Sequence, residues 1–220
     1  MQDLFDAIKA GDGPKVGALL DADPSLLEAK DERGLSPLTV AVYSRQEALI
    51  QILEQRGAGL DIFTAAMLGR MDRLNELLTE NRGLARAYSQ DGWTALHLAA
   101  FFGHHDAASA LLSKGAEARA RSTNPLQNTP LHAAAAGRHA GIAKLLIDQG
   151  ADVNARQHGG WTALHAAAQS GDTSLAKMLI ESGADVAIRA DNNQNALDLA
   201  LTKGHQQLVD LLEGSGASLS

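Results

Sequence analysis

Apolar residues along this chain fall in short bursts at helical spacing and do not alternate as in a half-buried strand. Ile142, Leu145 and Leu146 mark one side of a segment, and Leu175, Met178 and Leu179 repeat the same order 33 residues later. Residues three and four apart share a helix face, so each burst predicts an amphipathic helix. A shorter segment rich in Leu and Ala precedes each burst. Gly11, Gly69, Gly103, Gly171 and Gly204 separate such short segments from the long ones, and Gly150 and Gly183 follow long ones. Glycine readily takes the backbone conformation that ends a helix. Asp152, Asn154, Gly159 and Gly160, then Asp191, Asn192 and Asn193, are turn formers beyond the second helix. The predicted unit is therefore a short helix, a tight turn, a second helix and a hairpin-like finger.

The unit recurs. Thr94-Ala95-Leu96-His97-Leu98-Ala99 returns as Thr129-Pro130-Leu131-His132-Ala133-Ala134 and as Thr162-Ala163-Leu164-His165-Ala166-Ala167. Asn195-Ala196-Leu197-Asp198-Leu199-Ala200 is a degraded copy in phase, and Ser36-Pro37-Leu38-Thr39-Val40-Ala41 lies upstream. The phase-equivalent residues Leu4, Leu38, Ile62, Leu96, Leu131, Leu164 and Leu197 are separated by 34, 24, 34, 35, 33 and 33 residues. A second motif closes the units, as in Leu145-Leu146-Ile147-Asp148-Gln149-Gly150-Ala151-Asp152 and Met178-Leu179-Ile180-Glu181-Ser182-Gly183-Ala184-Asp185. Each opening Thr or Ser can cap a helix, and Pro37 or Pro130 is tolerated at the next position, where an N–H has no partner anyway. The 24-residue step leaves Arg56-Gly57-Ala58-Gly59 no room for a finger. One finger is therefore expected to be missing, as a notch for a partner element or as a neutral deletion.

Two motifs held in one register over essentially the whole chain resemble the ankyrin repeat family. The resemblance implies an all-α solenoid of stacked helix-turn-helix units with short β-hairpin-like fingers. About seven repeats are expected in a single domain over residues 1–213. Their approximate limits are 2–34, 35–58, 59–91, 92–126, 127–159, 160–192 and 193–213, with 214–220 a flexible tail. By the same resemblance, His97, His132 and His165 are structural, bonded to Thr94, Thr129 and Thr162 and to nearby backbone. Partners of such proteins bind the face made by finger tips and first helices. Carried over by register, that face offers Gln90, Asp91, Trp93, Leu126, Asn128, His158, Trp161, Asn192 and Gln194 from fingers. Phe101, Phe102, Gln169 and Ser170 come from first helices. Both tryptophans fall at one finger position, and aromatics are enriched at binding hot spots. If Phe101 and Phe102 turned into the core, that argument would lapse.

Composition narrows the chemistry. The formal charge of −7 lacks the footprint of a nucleic-acid binder, and the absence of cysteine excludes disulfides and thiolate chemistry. The eight histidines raise metal binding. His97, His132 and His165 stand one unit apart, roughly 10 Å on helix-packing spacing, too far to share an ion at ~2 Å ligand distances. No zinc, nucleophile-elbow or phosphate-loop motif is present. No cofactor, metal or catalytic residue is expected. The acidic start at Met1-Gln2-Asp3 lacks the order of a signal peptide, and no apolar run is long enough to span a bilayer. The expectation is a cytoplasmic, monomeric scaffold binding an unidentified protein, without nucleic acid or membrane. Two other readings stay open: a structural or accessory module of a larger assembly, and a His/Asp-dependent hydrolase, which needs histidines converging on one cleft.

Overall fold

A computed structural model describes residues 2–217. Among these residues the chain forms fourteen α-helices in seven pairs. The pairs are α1 (Gln2–Ala10) with α2 (Gly13–Ala22), α3 (Pro37–Tyr43) with α4 (Glu47–Gln55), α5 (Ile62–Leu68) with α6 (Met71–Glu80) and α7 (Ala95–Phe102) with α8 (His105–Ser113). They continue as α9 (Pro130–Gly137) with α10 (Ala140–Asp148), α11 (Ala163–Ser170) with α12 (Thr173–Glu181) and α13 (Ala196–Lys203) with α14 (Gln206–Gly214). First helices stack on first helices. Second helices follow in the same order, with sparse contact between α4 and α6. Alanine makes the first-helix layer close-packed: Ala95, Ala99, Ala134, Ala167 and Ala168 are buried against neighbouring units. Helices this short are unstable alone, so burial between units supplies the stability.

The helix starts carry the caps that the repeat predicts, in three chemical versions. Ser36 and Asp61 accept from the amides of Thr39 and Thr64. Thr94 and His97 form a reciprocal capping box. Asn195 and Asp198 do the same at α13, so the degraded copy keeps the geometry with different side chains. Second helices end on reaching side chains from the preceding unit. Arg86 donates to the Gly115 carbonyl beyond α8, Arg119 to that of Gly150 beyond α10 and Asn154 to that of Gly183 beyond α12. Carbonyls at a helix end lack intrahelical donors, which these contacts replace.

Fingers are turns closed by backbone bonds in both directions, as from Ser89 N–H to the Trp93 carbonyl, 2.8 Å, with Gly92 N–H returning to the Ser89 carbonyl, 3.0 Å. Likewise Gln157 N–H donates to the Trp161 carbonyl, 2.9 Å, with Gly160 N–H returning to that of Gln157, 3.0 Å. No strand forms among the described residues, and the sole backbone bridge there joins Tyr88 to Thr94. Successive fingers are tied by Thr123 N–H to the Gly92 carbonyl, His158 N–H to that of Leu126 and Asp191 N–H to that of Gly159. Between α4 and α5 there is no finger. The fingers on either side of that gap lean together, so that a Cβ on Gly34 would lie 1.9 Å from the Gln90 side-chain oxygen. Tyr43 closes the gap from below, its hydroxyl donating to the Asp91 carboxylate at 2.8 Å. A hollow of about 220 Å³ remains beneath. The end of the chain is less free than its small polar residues suggest. Gly214 is helical, and Ser215, Gly216 and Ala217 bond back to Leu211, Glu213 and Leu212. Residues 218–220 of the expected tail lie outside the described residues.

Candidate functional site

Three histidines hold adjacent units together. The His97 ring accepts from the Thr94 hydroxyl at Nδ1, 2.8 Å, and meets the Asn128 carbonyl at Nε2, 3.0 Å. His132 repeats this with Thr129 and the Trp161 carbonyl, and His165 with Thr162 and the Gln194 carbonyl. A carbonyl accepts only, so Nε2 must carry the proton and Nδ1 stays bare, which fixes one neutral tautomer. Burial disfavours the charged ring and pushes the pKa of His97 and His132 down to about 4. The His165 and His104 rings are lowered by the same cause. With both nitrogens engaged, none of the three rings is free for a ligand. Among the described residues no group of His, Asp and Glu gathers in a way that could hold a metal ion.

A second histidine series, His104, His139 and His205, also recurs in phase with the units, each at the start of a second helix. His104 Nε2 meets the Met67 carbonyl at 2.7 Å, His139 that of Phe101 at 3.1 Å and His205 that of Gln169 at 3.4 Å. Each ring lies over the glycine that ends the first helix of the preceding unit. A Cβ on Gly103 would come within 2.5 Å of the His139 ring, and one on Gly69 within 2.5 Å of the His104 ring. These glycines supply both the left-handed backbone and the space for the ring.

The finger and first-helix residues meet in one hollow. Trp93, Leu126 and Asn128 from two fingers, and Phe101 and Phe102 from α7, line it together with Tyr43, Arg45 and His97. Its volume is about 480 Å³. Phe101 is 40% exposed and Leu126 48%. Phe102 is half-buried, edge-on to Phe101 at 5.3 Å and tilted against Tyr43 at 6.4 Å. Trp93 leans on the His97 ring at 5.7 Å. The aromatic cluster thus divides: Phe102 and Trp93 build the wall, and Phe101 faces solvent. The wall also contains the Asn128 side-chain oxygen, buried with no hydrogen-bond donor among the described residues. Asp91 lies in the adjoining hollow, its carboxylate held by Tyr43 and by the Ser89 hydroxyl at 2.6 Å. Burial and that carboxylate push the Tyr43 pKa up. Gln90 lines the same hollow.

A second hollow of about 620 Å³ continues past Phe101 and Phe102, sharing Arg45 and Ala136 with the first. Arg70, Arg138, His104, His139 and Glu47 line it as well. Arg45 and Arg138 occupy the turn between paired helices, at φ 55° and 63°, where the five other units have Gly11, Gly69, Gly103, Gly171 and Gly204. A side chain in that conformation costs ~1–2 kcal/mol. Arginine fits these two turns sterically because the next unit carries Arg70 or Asp172 at the position where His104, His139 or His205 covers a glycine elsewhere.

The remaining register-derived residues stand apart from this groove. Trp161 is half-buried against His165 at 5.7 Å. Asn192 and Gln194 bond to each other within their own finger, and the Ser170 hydroxyl donates to the Ala167 carbonyl. His158 ties its finger to the previous one through its backbone, and the Gln169 carbonyl receives His205. Sequence register missed Arg45. The available signal was the replacement of the helix-ending glycine, which the neighbouring Gly137 disguises at Arg138.

The geometry of paired helices, capped by Thr and His in one phase, agrees with direct comparison. A family model for ankyrin repeats in three copies matches residues 62–157 and 154–220. The chain belongs to the ankyrin repeat family. Among curated ankyrin relatives, it is 35% identical over 122 residues to ankyrin repeat and SAM domain-containing protein 6 of Rattus norvegicus, 56% of this chain and 11% of that protein. The Mus musculus protein of that name is 38% identical over 122 residues, again 56% of this chain and 11% of the other. Alpha-latrocrustotoxin-Lt1a of Latrodectus tredecimguttatus is 28% identical over 132 residues, 54% of this chain and 9% of the toxin. The chain thus spans about a tenth of the length of these relatives. Ankyrin repeats generally mediate protein–protein interaction and are generally non-catalytic. No helix among the described residues is long and apolar enough to cross a membrane.

Proposed function

We propose that this ankyrin stack is a non-catalytic interaction scaffold that binds one protein partner through the face made by its fingers and first helices. The contact centres on the hollow lined by Trp93, Phe101, Phe102 and Leu126. The observation that supports this most is Phe101: a large aromatic ring left 40% exposed at the mouth of an apolar hollow, with Leu126 exposed beside it in the same lining. An exposed ring beside a pre-shaped cavity can bury its area without reordering the chain, which lowers the cost of association. Asn128 lies in the wall of that hollow and Gln90 and Asp91 line the adjoining one, while His158, Trp161, Gln169, Ser170, Asn192 and Gln194 would extend the contact along the later units. The test is pull-down from source lysate with the wild type and a W93A/F101A/F102A variant, folding being checked by circular dichroism. A specific prey should be lost with the variant and retained by a K144A control on the second-helix side. Equal recovery by the triple variant would move the contact elsewhere.

A further inference from the structure

We propose that the groove running from the Phe101 hollow to Arg45 and Arg138 receives an extended acidic peptide segment. One bulky apolar side chain enters beside Phe101, and a neighbouring carboxylate meets the arginines. This rests on the reading that this face binds protein, and it names the partner's chemistry. The Arg45 guanidinium has no hydrogen-bond or ion-pair partner among the described residues, and only its backbone amide is bonded, to the Val42 carbonyl at 3.0 Å. Arg138 holds Asp172 through a single contact at 3.4 Å. Arg70, in the same hollow, is already committed to Glu54 by two bonds of 2.8 and 2.7 Å. Glu47 is the one carboxylate in the lining. The groove therefore offers guanidinium donors in excess of local acceptors, and guanidinium is shaped for bidentate carboxylate recognition. Both arginines keep a left-handed backbone where five sister turns use glycine, so charge is retained there against conformational preference. They also bracket the aromatic residues in the stack: Arg45 follows α3, Phe101 and Phe102 end α7, and Arg138 follows α9. The chain's overall charge of −7 does not oppose this, because charges beyond a Debye length of ~8 Å are largely screened at physiological salt. The two hollows share Arg45, Phe101, Phe102 and Ala136 in their linings, so they adjoin, and a chain lying across both passes the same four residues.

The test is selection of a random twelve-residue phage-displayed peptide library on the full chain, with fluorescence polarisation of the enriched peptides. Enriched sequences should place Asp or Glu within two or three residues of Phe, Leu, Ile or Trp. Their affinity should fall about tenfold or more in F101A and about tenfold in R45G/R138G, the scale of one lost charge-assisted contact. The glycine variant restores the turn residue of the other units, so its fold is expected to hold and a loss of binding cannot be assigned to unfolding. Peptides that depend on Phe101 but lack an acidic preference and ignore R45G/R138G would overturn the acidic partner while leaving the binding face intact. Peptides indifferent to both variants, or no enrichment at all, would overturn both.

Discussion

Arg45 and Arg138 set a conformational preference against a side-chain role within single residues. Five equivalent turns use glycine, and these two force a Cβ into the same left-handed region. The conflict is measurable without any ligand. R45G and R138G should each stabilise the chain by roughly 1 kcal/mol, raising Tm by ~2–4 °C in a domain of this size. Differential scanning calorimetry of the single variants checks this, and an unchanged or lower Tm would show that the arginine side chains stabilise the turns. The Arg138 gain should be the smaller, since R138G also removes the contact to Asp172, although an exposed pair of this kind contributes little.

At the scale of the element, a helix start tolerates different chemistries if the donor geometry is kept. Asn195 and Asp198 do at α13 what Thr94 and His97 do at α7, with Arg189 adding a 3.3 Å contact to Asp198. Replacing Asn195 with Ala removes the acceptor for the Asp198 amide and should cost ~1 kcal/mol. Hydrogen exchange should lose protection first over α13 and α14, because these helices form one end of the described stack and have a neighbour on one side only. Uniform loss along the chain would instead mean that the stack opens as one unit. Elements of this kind were legible in the sequence because the cap and the leucine behind it recur in fixed phase. The expected Thr–His pairing was legible for the same reason, through family resemblance. What register could not supply was contact between units. The 24-residue step correctly implied a missing finger, yet nothing in a linear pattern places the Gln90 side chain over Gly34 or the Tyr43 hydroxyl on Asp91. Those contacts depend on how far two non-adjacent fingers lean when the one between them is absent. The division of labour between Phe101 and Phe102 was equally hidden, because neighbours on a helix point in different directions and register alone does not fix the helix's rotation.

Across the whole molecule, the missing finger coincides with a division of the interior. One cluster of buried residues runs from Leu4 to Ala58 with Met67 and Leu98 attached, and the other from Ile62 to Leu212. The first and second units therefore lean on the rest through few residues, helped by the Arg70–Glu54 pair across α4 and α6. The three buried Thr–His pairs all belong to the larger block. This asymmetry predicts a pH response confined to one side of the division. The folded pKa of His97 and His132 is about 4, below the ordinary value of 6.5. Between those two values the unfolded chain takes up a proton that the folded chain refuses. Stability from these rings is thus complete above pH ~6.5 and is lost as pH falls toward 4, by roughly 3 kcal/mol for each ring. The urea midpoint should drop steadily from pH 7.5 to 4.5. Protection factors for α7, α9 and α11 should fall over that range, while those of α1 to α4 change less. An H97Q/H132Q variant should be weaker at pH 7.5, since the glutamines do not reproduce the ring's two bonds, but its midpoint should depend far less on pH. A variant as acid-sensitive as the wild type would place the titrating groups elsewhere. Glu54, lowered by its bond from Arg70, and Asp31, lowered against its burial by the Leu35 and Arg33 amides, lose their contribution only as pH falls into the ordinary carboxylate range, at the acid end of the scan.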